Sequence, residues 1–386
     1  MKLREEWFGG IVSLESPRAL AFVNRPMMKR LGIRTSKRWT AFEPKALSAP
    51  TEVHLVLSRK CSAGCRSCYV DATPSGPALS LAQAKIAIDR LAVLGVFHVA
   101  LGGGEALDDE MVFEVAAHAR QKGVLPNLTT SGLGMTPALA EKCKVFGQIN
   151  VSVDGVKDTY RQHRGFDGFK KAERALKLLR EVKREVGINC VVSKSTFDHL
   201  GDVVAFAKKV KLNEVELLRF KPAGRGIETF DEEDLTEEQA RRIFPLAQWL
   251  TVRHRLRVKL DCSFAPMVFW HRPSKWVAQF FGVMGCEGGN VLASIMPDGQ
   301  WKGCSFGGPN EGSVFNANAS EQAIESGFTA FRDYVSKAPE PCRSCEYLTL
   351  CKGGCRVVAQ ARGDWWQPDP GCPRVREFAR TNCASK

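Results

Sequence analysis

Three cysteines stand close together in the run Val56-Leu-Ser-Arg-Lys-Cys61-Ser-Ala-Gly-Cys65-Arg-Ser-Cys68-Tyr69. The spacing C-x3-C-x2-C offers three thiolates to a metal centre. A [4Fe–4S] cluster held by three cysteines keeps one iron open for a ligand from outside the protein. Two other chemistries use neighbouring thiols. Structural zinc takes four Cys or His ligands, usually in paired spacings, and a redox loop uses a thiolate of lowered pKa. No fourth ligand lies within the segment, and the next cysteine is Cys143. The spacing therefore favours the three-ligand cluster.

A second block lies near the other end. Cys286 is followed by Gly299 and Cys304, then by Cys342-x2-Cys345-x5-Cys351-x3-Cys355, then by Cys372. C-x2-C pairs read by default as zinc sites. Here all seven are cysteine, and the only histidine beyond residue 260 is His271. All-thiolate ligation suits iron–sulfur clusters.

The two blocks resemble, position for position, the radical S-adenosylmethionine (SAM) superfamily and its peptide-modifying group with a seven-cysteine SPASM extension. The resemblance implies that Cys61, Cys65 and Cys68 bind a [4Fe–4S] cluster whose open iron is chelated by the amino and carboxylate groups of SAM. An electron from the cluster then breaks the sulfonium bond and gives a 5′-deoxyadenosyl radical. Further short motifs match. Gly102-Gly103-Gly104-Glu105 resembles the family's GGE motif, which holds the methionine amino group; glycine lets backbone approach closely, and Glu105 can accept charge-assisted hydrogen bonds. Asn150-Val-Ser152-Val-Asp-Gly155 resembles the strand-four motif, whose serine contacts SAM. Arg164, in His163-Arg164-Gly165, matches the arginine that grips the SAM carboxylate, a task suited to its planar fork. The chain departs from the family at Ser67, where an aromatic residue is common, with Tyr69 following instead.

The same resemblance assigns two auxiliary [4Fe–4S] clusters, three in all. Cys342, Cys345, Cys351 and Cys372 would hold the outer one. Cys286, Cys304 and Cys355 would hold the inner one, with Cys262 its fourth ligand. Should Cys262 not bind, the inner cluster keeps an open iron that could touch substrate. Of the 14 cysteines, Cys143, Cys190 and Cys383 then remain and read as small buried apolar side chains.

These residues need a scaffold that gathers them. Between residues 51 and 255, apolar runs alternate with helical patterns. The runs are His54–Leu57, Val96–Leu101, Leu125–Leu128, Gln148–Val153, Gly187–Val192 and Glu214–Leu218. Leu81, Ile86, Ile88, Leu91 and Leu94 lie at helix-like spacing, and Thr236 with Gln239 reads as a capping box. Strand-then-helix units imply a parallel sheet with right-handed crossovers. The expected fold is α/β, a six-unit (β/α)6 partial barrel, and the family's fold has the same count. In barrels of this type chemistry sits at the C-terminal ends of strands, and Cys61 to Cys68 follow the first strand. The expected domains are 1–50, a structural strap or partial leader-peptide-binding module of two short strands and a helix; 51–255, the barrel; and 256–386, the SPASM domain.

The formal charge is +13, which attracts an acidic partner by its field. Nucleic acid is disfavoured because no recognition module accompanies the charge. Residues 1–25 lack a signal peptide's apolar stretch, and no run of about 18 apolar residues occurs. A reducing cytoplasm with metal-bound thiolates is expected. The resemblance implies an enzyme that oxidatively modifies a peptide, such as a ribosomally made precursor, with an acidic leader and an electron donor such as ferredoxin or flavodoxin as partners. Alternatives are sulfatase maturation, haem or quinone cofactor synthesis, and, from another class, a non-catalytic Fe–S or zinc scaffold. Glu105, Ser152 and Arg164 discriminate, since a scaffold needs no SAM pocket. No general base is identified from sequence.

Overall fold

A computed structural model describes residues 2–15, 18–39, 46–182 and 185–383. Twelve strands are present among them: β1 (Lys2–Glu6), β2 (Gly9–Glu15), β3 (Arg18–Asn24), β4 (Glu52–Ser58), β5 (His98–Gly103), β6 (Leu125–Thr130), β7 (Gln148–Ser152), β8 (Glu185–Val192), β9 (Glu214–Arg219), β10 (Arg257–Leu260), β11 (Leu292–Ile295) and β12 (Trp301–Lys302). Strands β4 to β9 coincide with the six apolar runs and pair in parallel, in chain order.

Alternation along each strand separates a dry face from a wet one. In β4, Val53, Leu55 and Leu57 are buried in the main core with Ala84, Ala87, Ile88 and Leu91 of helix Leu81–Val93, while Glu52, His54 and Val56 line the barrel's inner cavity. That helix starts with a capping box of Ser80 and Gln83. The expected box of Thr236 and Gln239 opens helix Glu237–His254.

The sheet extends beyond six strands at both edges, giving the order β10-β9-β8-β7-β6-β5-β4-β11-β12. β10 joins β9 in parallel, with Val258 opposite Val215. β11, from the cysteine-rich segment, joins β4 in parallel with Ser294 opposite His54. The barrel and the cysteine-rich segment thus share one sheet.

Residues 2–30 differ from the expectation of two strands and a helix. They form three antiparallel strands and helix Arg25–Arg30. The expected first strand is split at Trp7-Phe8, and Gly9 takes φ +151° where a Cβ would strike the Val23 carbonyl. This small sheet seats against the segments that enter β4 and β5. Arg4 donates from Nη1 to the Pro50 carbonyl (2.9 Å) and from Nε to Glu6 (2.9 Å), and lies over the Phe97 ring. Glu6 in turn accepts from the Ser48 amide and hydroxyl.

A buried ion pair ties the end of β9 to the cysteine-rich segment. Arg219 Nη1 donates to Asp369 Oδ2 at 2.7 Å, and both side chains are fully buried. Asp369 Oδ2 also accepts from the Cys355 amide at 2.8 Å, and its Oδ1 accepts from Gly371. Removing one partner of such a pair leaves an uncompensated buried charge. Asp369→Ala is therefore expected to cost about 3–5 kcal/mol, read as a lower denaturant midpoint in chemical unfolding of the full-length chain; an unchanged midpoint would contradict the role given to this pair.

Candidate active site

The loop bearing Cys61, Cys65 and Cys68 leaves the C-terminal end of β4 and folds over the end of β5. Two glycines permit this. Gly103 has φ +126° and a Cβ there would lie 2.2 Å from the Ser58 carbonyl oxygen; a Cβ on Gly104 would lie 1.9 Å from that of Lys60. Backbone bonds lock the contact: the Gly104 amide donates to Ser58 O (2.7 Å) and the Glu105 amide to Lys60 O (3.0 Å). The close approach expected of these glycines is thus made to the cysteine loop itself.

Arg225 fixes the loop from the other side. Its Nε and Nη2 donate to the Cys65 carbonyl at 3.0 and 2.9 Å, and Nη1 donates to the Ala72 carbonyl at 2.9 Å. Two amides point at sulfur, Ala63 N at Cys61 Sγ and Ala72 N at Cys68 Sγ, both at 3.4 Å. Burial raises the Cys61 and Cys65 thiol pKa values, with the neighbouring thiols adding to the rise.

All eight residues expected around SAM and its cluster line one cavity of about 490 Å³: Cys61, Cys65, Cys68, Gly103, Gly104, Glu105, Ser152 and Arg164. Arg164 ends helix Asp158–Arg164 and donates from Nε to Asp154 Oδ2 at 2.7 Å; its Nη1 lies 3.7 Å from Cys65 Sγ. Burial would lower its pKa, but Asp154 and Cys65 outweigh that and keep it charged. Glu105 is buried and its carboxylate takes four donors: the Leu107 amide and Thr130 hydroxyl on Oε1, and the Ser131 amide and hydroxyl on Oε2. Those are about as many acceptor positions as a carboxylate has, so an incoming ammonium must exchange with one of these donors.

The second thiol set also comes together. Cys342, Cys345, Cys351 and Cys372 line a small hollow of about 30 Å³. Burial pushes the Cys372 thiol up to about 12 and raises those of Cys342 and Cys351. In the third set, burial pushes Cys304 up to about 12, with Cys286 and Cys355 adding to the rise. Cys262 belongs to this neighbourhood. As a residue it is exposed, yet burial of its thiol in surrounding protein raises the pKa well above the ordinary value, with Cys286 and then Asp261 contributing. Among the described residues no three His, Cys, Asp or Glu side chains close on a single metal ion; the outer four thiols ring a hollow instead. Cys143 and Cys190 are buried in the main core, and the Cys383 side chain lies outside the described residues.

Several functional groups carried no sequence signal. Ser305, next to Cys304, enters the barrel seam, where its Oγ lies 3.1 Å from His54 Nδ1. His54 Nε2 lies 3.4 Å from Glu52 Oε1, and His98 Nδ1 lies 3.8 Å from Glu52 Oε2. Burial opposes the Glu52 charge, but the neighbouring imidazoles of His54 and His98 hold this carboxylate well below its usual range. With Glu52 as acceptor at Nε2–H, His54 Nδ1 is left to take a proton from the Ser305 hydroxyl, an orientation logic shared by hydroxyl–imidazole–carboxylate triads.

With this geometry in place, comparison with known proteins finds that residues 55–207 match the Radical SAM superfamily. A radical SAM domain is thus matched within this chain. It is similar to the Fe-coproporphyrin III synthase of Methanosarcina barkeri, 26% identical over 353 residues, spanning 83% of this chain and 87% of the relative. It is also similar to the PqqA peptide cyclase of Bradyrhizobium diazoefficiens, 25% identical over 342 residues, spanning 84% and 86%. In fold it resembles Streptococcus suis SuiB bound to its precursor peptide SuiA, with TM-score 0.74 and 14% identity over 96% of this chain and 98% of that one. A radical SAM domain implies a [4Fe–4S] cluster and SAM, and among the described residues no helix is long and apolar enough to cross a membrane.

Deep in the radical SAM cavity, Glu216 has a pKa raised to about 6, chiefly by burial and then by Asp261. The folded state holds this proton where the unfolded chain, at 4.5, has lost it, so this group's contribution to stability falls as pH rises between those values. The loss is about 2 kcal/mol at 1.36 kcal/mol per pKa unit. Glu216→Gln is expected to match wild type in thermal midpoint below that window and exceed it above; parallel curves across the window would contradict this.

Proposed function

We propose that this enzyme uses radical SAM chemistry to oxidise or crosslink a peptide, with Cys61, Cys65 and Cys68 holding the SAM-binding cluster. The convergence of eight residues from the loop after β4, from β5 and the turn beyond it, from β7 and from helix Asp158–Arg164 on one cavity carries this reading. The donor set fits the group: three thiols with one coordination place unfilled, two amides aimed at sulfur, and a charged arginine beside Cys65. When bound, cluster and SAM supply a 5′-deoxyadenosyl radical able to take a hydrogen atom from an unactivated carbon.

The chain's own residues orient and protect. Arg164, held by Asp154, would grip the SAM carboxylate; Glu105 would take the ammonium in exchange for one of its four donors; Ser152 would contact the nucleoside or methionine part. His54, oriented by Glu52 and reached through Ser305, would receive the proton that leaves the substrate. Cys342, Cys345, Cys351 and Cys372 hold the outer auxiliary cluster, and Cys286, Cys304 and Cys355, completed by Cys262, hold the inner one.

Likeness to a peptide cyclase over most of both chains supports a peptide substrate. The small sheet of β1 to β3 acts as a strap on the barrel floor through Arg4 and Glu6, and β3, with β2 on one side and no strand on the other among the described residues, offers an edge for an acidic leader. The likeness to a porphyrin enzyme keeps a tetrapyrrole as the second substrate class to test. An electron carrier such as ferredoxin or flavodoxin completes the system.

Anaerobically reconstituted protein should carry about twelve irons, as three four-iron clusters, and release 5′-deoxyadenosine from SAM with dithionite. Changing Cys61, Cys65 and Cys68 together to alanine should abolish that release and leave about eight irons. Persistence of 5′-deoxyadenosine in the triple variant would refute the assignment. Co-expression with short peptides encoded beside the chain, read by mass spectrometry, should give a peptide lighter by a pair of hydrogens; modification of added coproporphyrin instead would move the substrate to the tetrapyrrole class.

A further inference from the structure

Between the barrel and the cysteine-rich segment runs His271-Arg-Pro-Ser-Lys-Trp-Val-Ala-Gln-Phe-Phe-Gly-Val-Met284, which contains no acidic residue. Its helix, Lys275–Phe280, buries only Ala278. Trp276, Phe280 and Phe281 are 70%, 71% and 72% exposed, and Val277 and Met284 are also in the open. The rings assemble with one another: Trp276 stacks on Phe280 at 5.5 Å, and Phe281 meets Phe280 edge-on at 5.3 Å. Three clustered aromatic rings in water mark an interaction site, and Trp anchors with basic neighbours are typical of binding hot spots.

What lies under the patch identifies its use. Ala278 and Val283 pack with Phe269, Tyr347, Leu350 and Cys351. The Tyr347 hydroxyl donates to the Pro273 carbonyl at 3.0 Å, and the Gly285 amide donates to Leu350 at 2.7 Å. Arg374 donates to Cys345 Sγ at 3.1 Å and to the Phe269 carbonyl at 3.1 Å. The aromatic patch is therefore the outer skin of the unit whose inner side is the hollow ringed by Cys342, Cys345, Cys351 and Cys372. Four thiolates fill every protein-facing place of a four-iron cluster, so a cluster there has no iron left for substrate and can only pass electrons.

We propose that the exposed face of helix Lys275–Phe280, continued by Phe281 and Met284, docks an acidic one-electron carrier protein that exchanges electrons with the four-thiol site beneath it. This rests on the reading of those four cysteines as a cluster site. Charge selects the occupant: His271, Arg272 and Lys275 rim the patch, all exposed, and the chain as a whole is at +13. A second copy would set the same basic rim against itself in a two-fold contact, with net repulsion. Electron-carrier encounters are small and weak, which suits a patch of one short helix and its continuation.

The test titrates the full-length, anaerobically reconstituted enzyme with flavodoxin and with ferredoxin at low salt, by calorimetry, and repeats it with Trp276→Ser/Phe280→Ser and with Lys275→Glu. At least one carrier should bind, with an affinity that falls with salt. Each variant should weaken it by about tenfold or more, about 1.4 kcal/mol, and slow electron transfer from reduced flavodoxin. Iron content and dithionite-driven 5′-deoxyadenosine should not change, because the altered side chains are exposed. The proposal is overturned if neither carrier binds, if binding is the same in the variants, or if the double variant instead abolishes self-association in light scattering or binding to phosphatidylglycerol vesicles. Failure of the wild type to cleave SAM with dithionite would count against the functional reading alone; the binding comparison judges the patch separately.

Discussion

The contact on which the site depends is backbone against backbone, where Gly103, Gly104 and Glu105 meet Ser58 and Lys60. Strands β4 and β5 pair in register as far as Val56 opposite Gly102, then slip so that Ser58 faces Gly103. The slip turns the chain over the barrel mouth just before Cys61. A side chain at residue 103 or 104 would overlap the carbonyl oxygens it packs against, so the GGE segment positions the cysteine loop and the carboxylate of Glu105 in a single act. Arg225, reaching from beyond β9, completes the clamp on the Cys65 and Ala72 carbonyls.

Electrostatics sets the second constraint. A buried thiolate is costly, and burial raises the pKa of most of the clustered thiols. Each set has a fixed cation at hand. Arg164 lies beside Cys65 and Arg374 beside Cys345. Lys221, near Cys304 and Cys355, is itself held by Asp261, the residue before Cys262. The cations are anchored in turn by Asp154, the Phe269 carbonyl and Asp261. The buried pair that joins the barrel to the cysteine-rich segment, Arg219 with Asp369, also acts on the Cys355 thiol.

Much of this was legible in the sequence because it is local. Six apolar runs with inward polar alternation are six strands, and cysteine spacing within each block shows which thiols travel together. What escaped is long-range or chemically ordinary. β11 and β12 are short, and their place beside β4 depends on residues far away in the chain. β10 alternates Arg257 and Lys259 with apolar residues and reads as solvated surface. The third N-terminal strand was hidden because Trp7 and Phe8 look like strand residues while forming a turn. Arg225 and Ser305 resemble any surface arginine or serine until the fold sets one on the cysteine loop and the other against His54. Trp276 and Phe280 carry no sequence signal of exposure, yet their helix buries only Ala278.

The central claim is that three thiols leave one iron for SAM in the cavity shared by Glu105 and Arg164. Electron–nuclear double resonance on the reduced enzyme tests it directly, using SAM isotopically labelled at its amino nitrogen and carboxylate oxygen. The account predicts that both labels couple to the spin of the cluster held by Cys61, Cys65 and Cys68. Bound SAM with neither label coupled to that spin would contradict it.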